Sequence, residues 1–212
     1  MKHIYCISGF GADERVFSKV DFGNNSTHFI SWLTPLKKES IEAYAKRMSE
    51  IIRHDNPIIL GVSFGGIMSI EIAKIIKTDK VIIISSIKSF REIPLWMKLS
   101  SKLNLDKIIP LRSFPLIEPI ENYNLGLENK EELNLVHEYR KNIGQQYTNW
   151  SVNQILRWKN EWQPAKLVHI HGGKDRIFPI KNIKADYVVA DGGHFIIMNR
   201  AEKINQILAE IL

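Results

Sequence analysis

The sequence predicts an α/β fold, a three-layer α/β/α sandwich around a mostly parallel sheet, on three observations. Segments 57–62 and 80–87 are apolar without alternation, as strands are when helices cover both faces of a parallel sheet. Strand-like and helix-like segments alternate over the first 87 residues, the order that builds such sheets. The alternation resumes near residue 151, after a break of about sixty residues.

Each element has a local reason. Residues 2–8 (KHIYCIS) form a β-branched and aromatic run that ends in Gly-Phe-Gly, a strand entering a loop. A short helix is expected over 14–20, and a second strand over 27–33, stopped by Pro35. Ser40 is a suitable N-cap for a helix from 41 to about 53, where Ile41, Tyr44, Ala45, Met48, Ile51 and Ile52 recur at helical spacing. Strand 57–62 follows, then a helix over 63–76 that is apolar around much of its surface, then strand 80–87. Residues 88–150 contain four prolines and short helical patches at 95–103 and 131–142. A structureless loop of that length does not suit a compact domain, so the segment reads as a helical insertion within a single domain spanning 1–212. A helix near 151–159, strands 166–171 and 186–190, and a closing helix over 201–212 complete the chain.

Composition excludes several classes. At 212 residues, with 44% hydrophobic and 25% charged residues, the chain suits one globular domain. No apolar run approaches the ~20 residues of a membrane span, and MKHIYCISG is too short for a signal sequence, so a cytoplasmic protein without a membrane partner is expected. The net charge of +6 comes from scattered lysines, with no basic run of a nucleic-acid-binding kind. The single cysteine, Cys6, sits in an apolar strand and receives no catalytic role. The basic stretch 88–112 and the acidic stretch 113–139 are expected to pair with each other, the alternative being a polar rim offered to something that binds.

The segment LGVSFGGIMS places Ser63 between Gly61 and Gly65, where an apolar strand meets an apolar helix. At a tight strand-to-helix turn the residues two positions to either side of the tip come too close for side chains, which glycine relieves. Such a turn lifts a serine hydroxyl to a helix N-terminus, whose partial positive charge favours an oxyanion.

A serine needs a base, and the base an orienting acid. His194 in ADGGHF lies just beyond a strand, in a loop made tight by Gly192 and Gly193. His3 and His169 lie within strands, and His28, His54 and His137 near polar segments, which suits structural or surface histidines. Asp175 in HGGKDRIFP follows a strand and a glycine pair; Asp191, its rival, lies only three residues before His194, an awkward reach. Backbone N–H groups of Phe64, after the serine, and Phe10, in the loop after the first strand, are the candidate oxyanion donors.

These segments resemble the α/β-hydrolase superfamily: GVSFGG its nucleophile turn, SGFGADERVF its oxyanion loop, HGGKDRIFP its acid loop and GGHF its histidine loop, in the order serine, aspartate, histidine. Ser8 stands where many relatives carry the histidine of a His-Gly pair, and only eighteen residues separate Asp175 from His194. The resemblance implies a compact six-stranded sheet that begins at the family's third strand, without the two leading antiparallel strands. It makes the insertion 88–150 a cap, with Trp96, Met97, Leu99 and Phe114 either lining a substrate pocket or gluing the cap to the core. It implies a serine hydrolase with no cofactor, cleaving a small-molecule ester or thioester through an acyl-enzyme.

Two other classes stay open: a C–C bond hydrolase or lyase on the same three residues, and a non-catalytic binding protein. GFGADE lacks the third glycine or alanine of a dinucleotide loop, and no Gly-Lys-Ser/Thr phosphate loop occurs. His169 and His171 could share a strand face as metal ligands, but no third ligand is evident and no metal site is expected.

Overall fold

The computed structural model describes residues 1–103 and 115–212. Six strands form one all-parallel sheet in the order β2-β1-β3-β4-β5-β6: β1 His3–Ile7, β2 Ser26–Ile30, β3 Ile58–Val62, β4 Lys80–Ile84, β5 Leu167–Gly172 and β6 Tyr187–Val189. The chain runs from β1 outward to β2 and then returns to the other side of β1, so the winding reverses between β1 and β3. Crevices at such reversals, at the C-terminal ends of the strands, are where open parallel sheets bind ligands.

Strand periodicity sorts the core into two layers. Tyr5, Ile7, Ile59, Val81 and Ile83 face one side, where they meet α1 (Ile41–Ser49), α2 (Phe64–Ala73), Met97 of α3 (Leu95–Lys102) and Trp150 of α6 (Gln145–Arg157). Ile4, Cys6, Ile58, Leu60, Ile82 and Ile84 face the other, against Val16 and Phe17, Val136 and Tyr139 of α5 (Lys130–Asn142), α7 (Ile196–Asn199) and α8 (Ala201–Ile211). Helix α4 (Glu118–Leu125) lies between the undescribed segment and α5. Burial pushes the Cys6 thiol well above its ordinary range. Among the described residues no helix is long and apolar enough to cross a membrane.

Several boundaries differ from the sequence expectation for visible reasons. The expected helix at 14–20 is one 3-10 turn, Glu14–Phe17, capped by Asp13. Strand β2 ends at Ile30, and the backbone N–H and carbonyl of Leu33 bond to the Tyr44 hydroxyl, at 2.8 Å each. Helix α1 ends at Ser49, and the Arg53 N–H then donates to the Tyr5 hydroxyl. Strand β4 stops at Ile84 because Ser85 takes a positive φ of 48°. Helices α4 and α7 were not expected, and α6 begins at Gln145, so residue 150 falls inside a helix. The acidic stretch pairs with Arg15, Lys19, Arg140 and Arg200; part of the basic stretch 88–112, expected to pair with it, lies outside the described residues.

Candidate active site

Ser63 sits between the last residue of β3 and the first of α2 with φ 53° and ψ −117°. A left-handed φ at a non-glycine residue costs on the order of 1–3 kcal/mol, so the surroundings must hold it. Its N–H donates to the Ile84 carbonyl at 2.9 Å, and its carbonyl accepts the Ser86 hydroxyl at 2.6 Å and the Gly66 N–H at 2.9 Å. The strained turn is thereby tied to the end of β4.

The Ser63 hydroxyl lies 2.9 Å from His194 Nε2, and His194 Nδ1 lies 2.8 Å from Asp175 Oδ2. Asp175 and His194 are buried. Asp175 Oδ1 accepts the N–H groups of Ile177 and Phe178, both at 2.8 Å. Burial alone would raise the Asp175 carboxyl. The facing His194, His171 and the backbone donor outweigh it and hold the group below the ordinary carboxylate range. An ionised Asp175 accepts from Nδ1–H, which leaves the Nε2 lone pair of His194 free to take the serine proton. Asp191 instead pairs with Arg200 at 2.8 Å, away from the imidazole.

The acid and histidine loops are pressed together backbone to backbone. A Cβ on Gly172 would lie 2.1 Å from the Gly193 carbonyl oxygen, and the Lys174 N–H donates to the Gly192 carbonyl at 2.8 Å. Such contact explains how two glycine pairs far apart in sequence bring Asp175 and His194 into register. His171 Nε2 is closer to the Phe178 carbonyl, at 2.8 Å, than to Asp175 Oδ2, at 3.4 Å, so its N–H belongs to the carbonyl and its Nδ1 is left to accept from His169, at 3.2 Å. The His169–His171 pair thus braces the acid loop.

Compared with solved structures, the chain matches an α/β hydrolase fold protein from Burkholderia ambifaria with a TM-score of 0.74 and 12% identity, over 99% of this chain and 90% of that one. A thermophilic esterase from Thermogutta terrifontis matches with a TM-score of 0.72 and 14% identity, over 99% and 89%. An epoxide hydrolase from Bacillus megaterium matches with a TM-score of 0.66 and 12% identity, over 99% and 93%. Comparison with protein-family models and with curated proteins gave no match. The chain has the α/β-hydrolase fold.

Within the α/β-hydrolase fold the loop after β1 is the place to look for oxyanion donors. Here it passes close to the serine: a Cβ on Gly9 would lie 3.5 Å from Ser63 Cβ. The Ser8 hydroxyl donates to the Ala12 carbonyl at 2.6 Å, and the Trp32 indole N–H reaches both Ser8 Oγ and the Gly9 carbonyl at 3.0 Å. Ser8 and Trp32 therefore brace the loop that carries Phe10. The Phe64 N–H belongs to the first turn of α2, whose N–H groups lack intrahelical acceptors. The indole of Trp32 stacks on the Phe64 ring at 5.0 Å, joining the start of α2 to the loop that carries Phe10. Nothing in the one-dimensional pattern marked Trp32, which only the departure of residues 31–33 from the sheet brings to the loop.

A cavity of about 490 Å³ adjoins this loop, walled by Ser8, Gly11, Trp32, Tyr139, Ile143 and Tyr147 among others. Of the residues expected to meet substrate, Trp96 and Leu99 are exposed and are not among its walls, and Met97 is buried in the core beside Trp150. Phe114 lies outside the described residues.

Gly65 presses the first turn of α2 onto β1: a Cβ there would fall 2.3 Å from the carbonyl oxygens of both Ile7 and Ser8. Gly65→Ala is expected to lower stability by about 3 kcal/mol, since backbone must move to admit the methyl. Urea unfolding of the variant, with Gly23→Ala as a comparison, measures this. Gly23 has no heavy atom within 4 Å of an added Cβ but a φ of +57°, so it reports the conformational penalty without the collision.

Proposed function

We propose that the protein is a serine hydrolase of small carboxylic esters or thioesters. The continuous line from Ser63 Oγ to His194 to Asp175, at 2.9 and 2.8 Å, carries this reading. Ser63 Oγ adds to the substrate carbonyl carbon while its proton passes to His194 Nε2, and Asp175 holds the resulting imidazolium. The Phe10 and Phe64 N–H groups, with the positive end of α2, stabilise the oxyanion. Collapse expels the alcohol or thiol, which takes the proton from His194, and leaves an acyl group on Ser63. Water, deprotonated by His194, attacks that acyl group; the acid departs and Ser63 Oγ recovers its proton. The chain supplies every group in this cycle, so none of it calls for a cofactor.

In this reading the described residues of 88–150 belong to the cap, residues 104–114 lying outside the description. The contacts of α4 and α5 support it. Arg176 of the acid loop lies 3.9 Å above the Tyr123 ring and donates to its carbonyl, and the Phe195 N–H beside His194 donates to the Leu125 carbonyl. Ile143, after α5, abuts Gly11 of the oxyanion loop. The cavity between that loop and the α5–α6 turn is our candidate for the acyl group; Ser63 and His194 are not among its walls, and the loop of Phe10 lies between them and it.

Incubation with a fluorophosphonate, followed by peptide mass mapping, is expected to place one adduct on Ser63. A series of p-nitrophenyl esters of graded acyl length is expected to be hydrolysed in a Ser63-dependent way, and the length that gives the highest kcat/KM measures the acyl site. Absence of an adduct under conditions that label a reference esterase would overturn the proposal.

A further inference from the structure

At the opposite end of the sheet from Ser63, three segments bring together three imidazoles. His3 is the first residue of β1, His28 lies in the edge strand β2, and His54 lies in the loop that enters β3. Their nearest ring nitrogens all lie within 4.8 Å of one another. His3 Nδ1 is 3.1 Å from His28 Nε2, and the rings of His3 and His54 stack at 3.4 Å. All three are partly buried, with edges open to solvent.

The geometry points to a divalent metal site of zinc type, with His3 Nδ1, His28 Nε2 and His54 Nε2 as ligands and a fourth position left to water. Tetrahedral ligands about 2.0–2.1 Å from zinc stand roughly 3.3 Å apart, close to the His3–His28 spacing. Three neutral imidazoles are a donor set suited to zinc, copper or nickel rather than to calcium or magnesium.

The surroundings orient the rings as outer partners of metal ligands do. The Tyr5 hydroxyl lies 2.7 Å from His54 Nδ1 and accepts the Arg53 N–H at 3.1 Å, so Nδ1 is engaged and Nε2 is the nitrogen left to ligate. The Tyr5 ring stacks on His28 at 4.6 Å, and Ser26 Oγ, 3.3 Å from His28 Nε2, must yield that nitrogen to the ion. The parallel stacking of His3 and His54 must open slightly for both lone pairs to meet one ion; His54, on a loop, is the ring that can turn. Bound metal would fasten the edge strand β2 and the loop before β3 to β1, a stabilising role remote from the ester chemistry.

The test is a calorimetric titration of the full-length, tag-free, chelator-treated protein with zinc chloride, beside His28→Gln and His54→Gln. One equivalent should bind with a micromolar or tighter Kd, and each variant should bind at least tenfold more weakly. With zinc at about 100-fold over Kd, Tm should rise by roughly 5 °C or more, while magnesium leaves it unchanged. Cobalt(II) should give the visible bands of a four-coordinate nitrogen site in the unsubstituted protein, a readout that needs no variant to fold. Ester hydrolysis by metal-free His54→Gln should equal that of the unsubstituted protein. Absence of saturable binding, weak octahedral cobalt bands, or zinc bound as tightly by both variants would each overturn the proposal.

Discussion

Ser63→Ala is expected to lower kcat on p-nitrophenyl acetate by roughly 10⁴ to 10⁶-fold while leaving KM within a few-fold, because in the proposed mechanism the hydroxyl attacks the reacting carbon and contributes little to ground-state binding. The fold should survive: Ser63 is held through its backbone by Ile84, Ser86 and Gly66, and alanine keeps those bonds. Asp175→Asn is expected to cost about 10⁴-fold by a different route. Two backbone N–H groups, of Ile177 and Phe178, point at Oδ1 and require an acceptor there. The amide must then turn its NH₂ toward His194 Nδ1, which leaves the imidazole proton on Nε2 and removes the base. Steady-state kinetics of both variants measure this, and a Ser63→Ala rate equal to that of the unsubstituted enzyme would end the serine mechanism.

Acidification is expected to destabilise the protein well above the carboxylate range, through a buried histidine outside the proposed reaction. Burial, then the neighbouring His171 and Lys88, push His169 from 6.5 down to about 3. The unfolded chain therefore binds a proton between those values that the folded chain refuses. The stability from neutral His169 is complete above pH 6.5 and is lost progressively as pH falls toward 3. Between pH 7.5 and 4.5 the loss is about 2–3 kcal/mol, approaching roughly 4 near pH 3. His171, also lowered by burial, adds in the same direction. Asp175, held below its ordinary value, keeps its contribution until the pH drops beneath the usual carboxylate range. Urea midpoints from pH 4.5 to 7.5 should fall steeply for the unsubstituted protein and less steeply for His169→Asn; identical slopes would remove His169 as the cause.

Much of the fold was legible because its signals are local. Doubly covered strands must be apolar at successive positions, as IILGV and KVIII are. Ser40 carries the hydroxyl that accepts the Ala43 N–H at the start of α1. Glycines at 61, 65, 172 and 193 mark places where backbones press together, and a steric demand of that kind leaves a residue-level trace. What was missed depended on distant partners. The sequence around Gln145 offers no strong helical stripe, yet α6 begins there, with Tyr147 and Trp150 covered by Phe10, Trp32, Phe64 and Tyr44. His3, His28 and His54 read as unrelated strand and surface residues, because no short-range pattern links segments that meet only when β2 and the loop before β3 settle on β1.

The sequence by itself determined the alternating elements, the parallel sheet and the order of serine, aspartate and histidine, since burial periodicity and tight-turn sterics act over a few neighbouring residues. The sequence already favoured Asp175 over Asp191; only the tertiary structure decided the distance at which Asp175 faces His194, that Trp32 and Ser8 brace the loop of Phe10, and that the cavity beside that loop is walled in part by the turn joining α5 to α6. Those outcomes depend on which chain segments pack together across the C-terminal edge of the sheet, and hydrogen-bond geometry at 2.8–2.9 Å is set by that packing rather than by any residue's immediate neighbours.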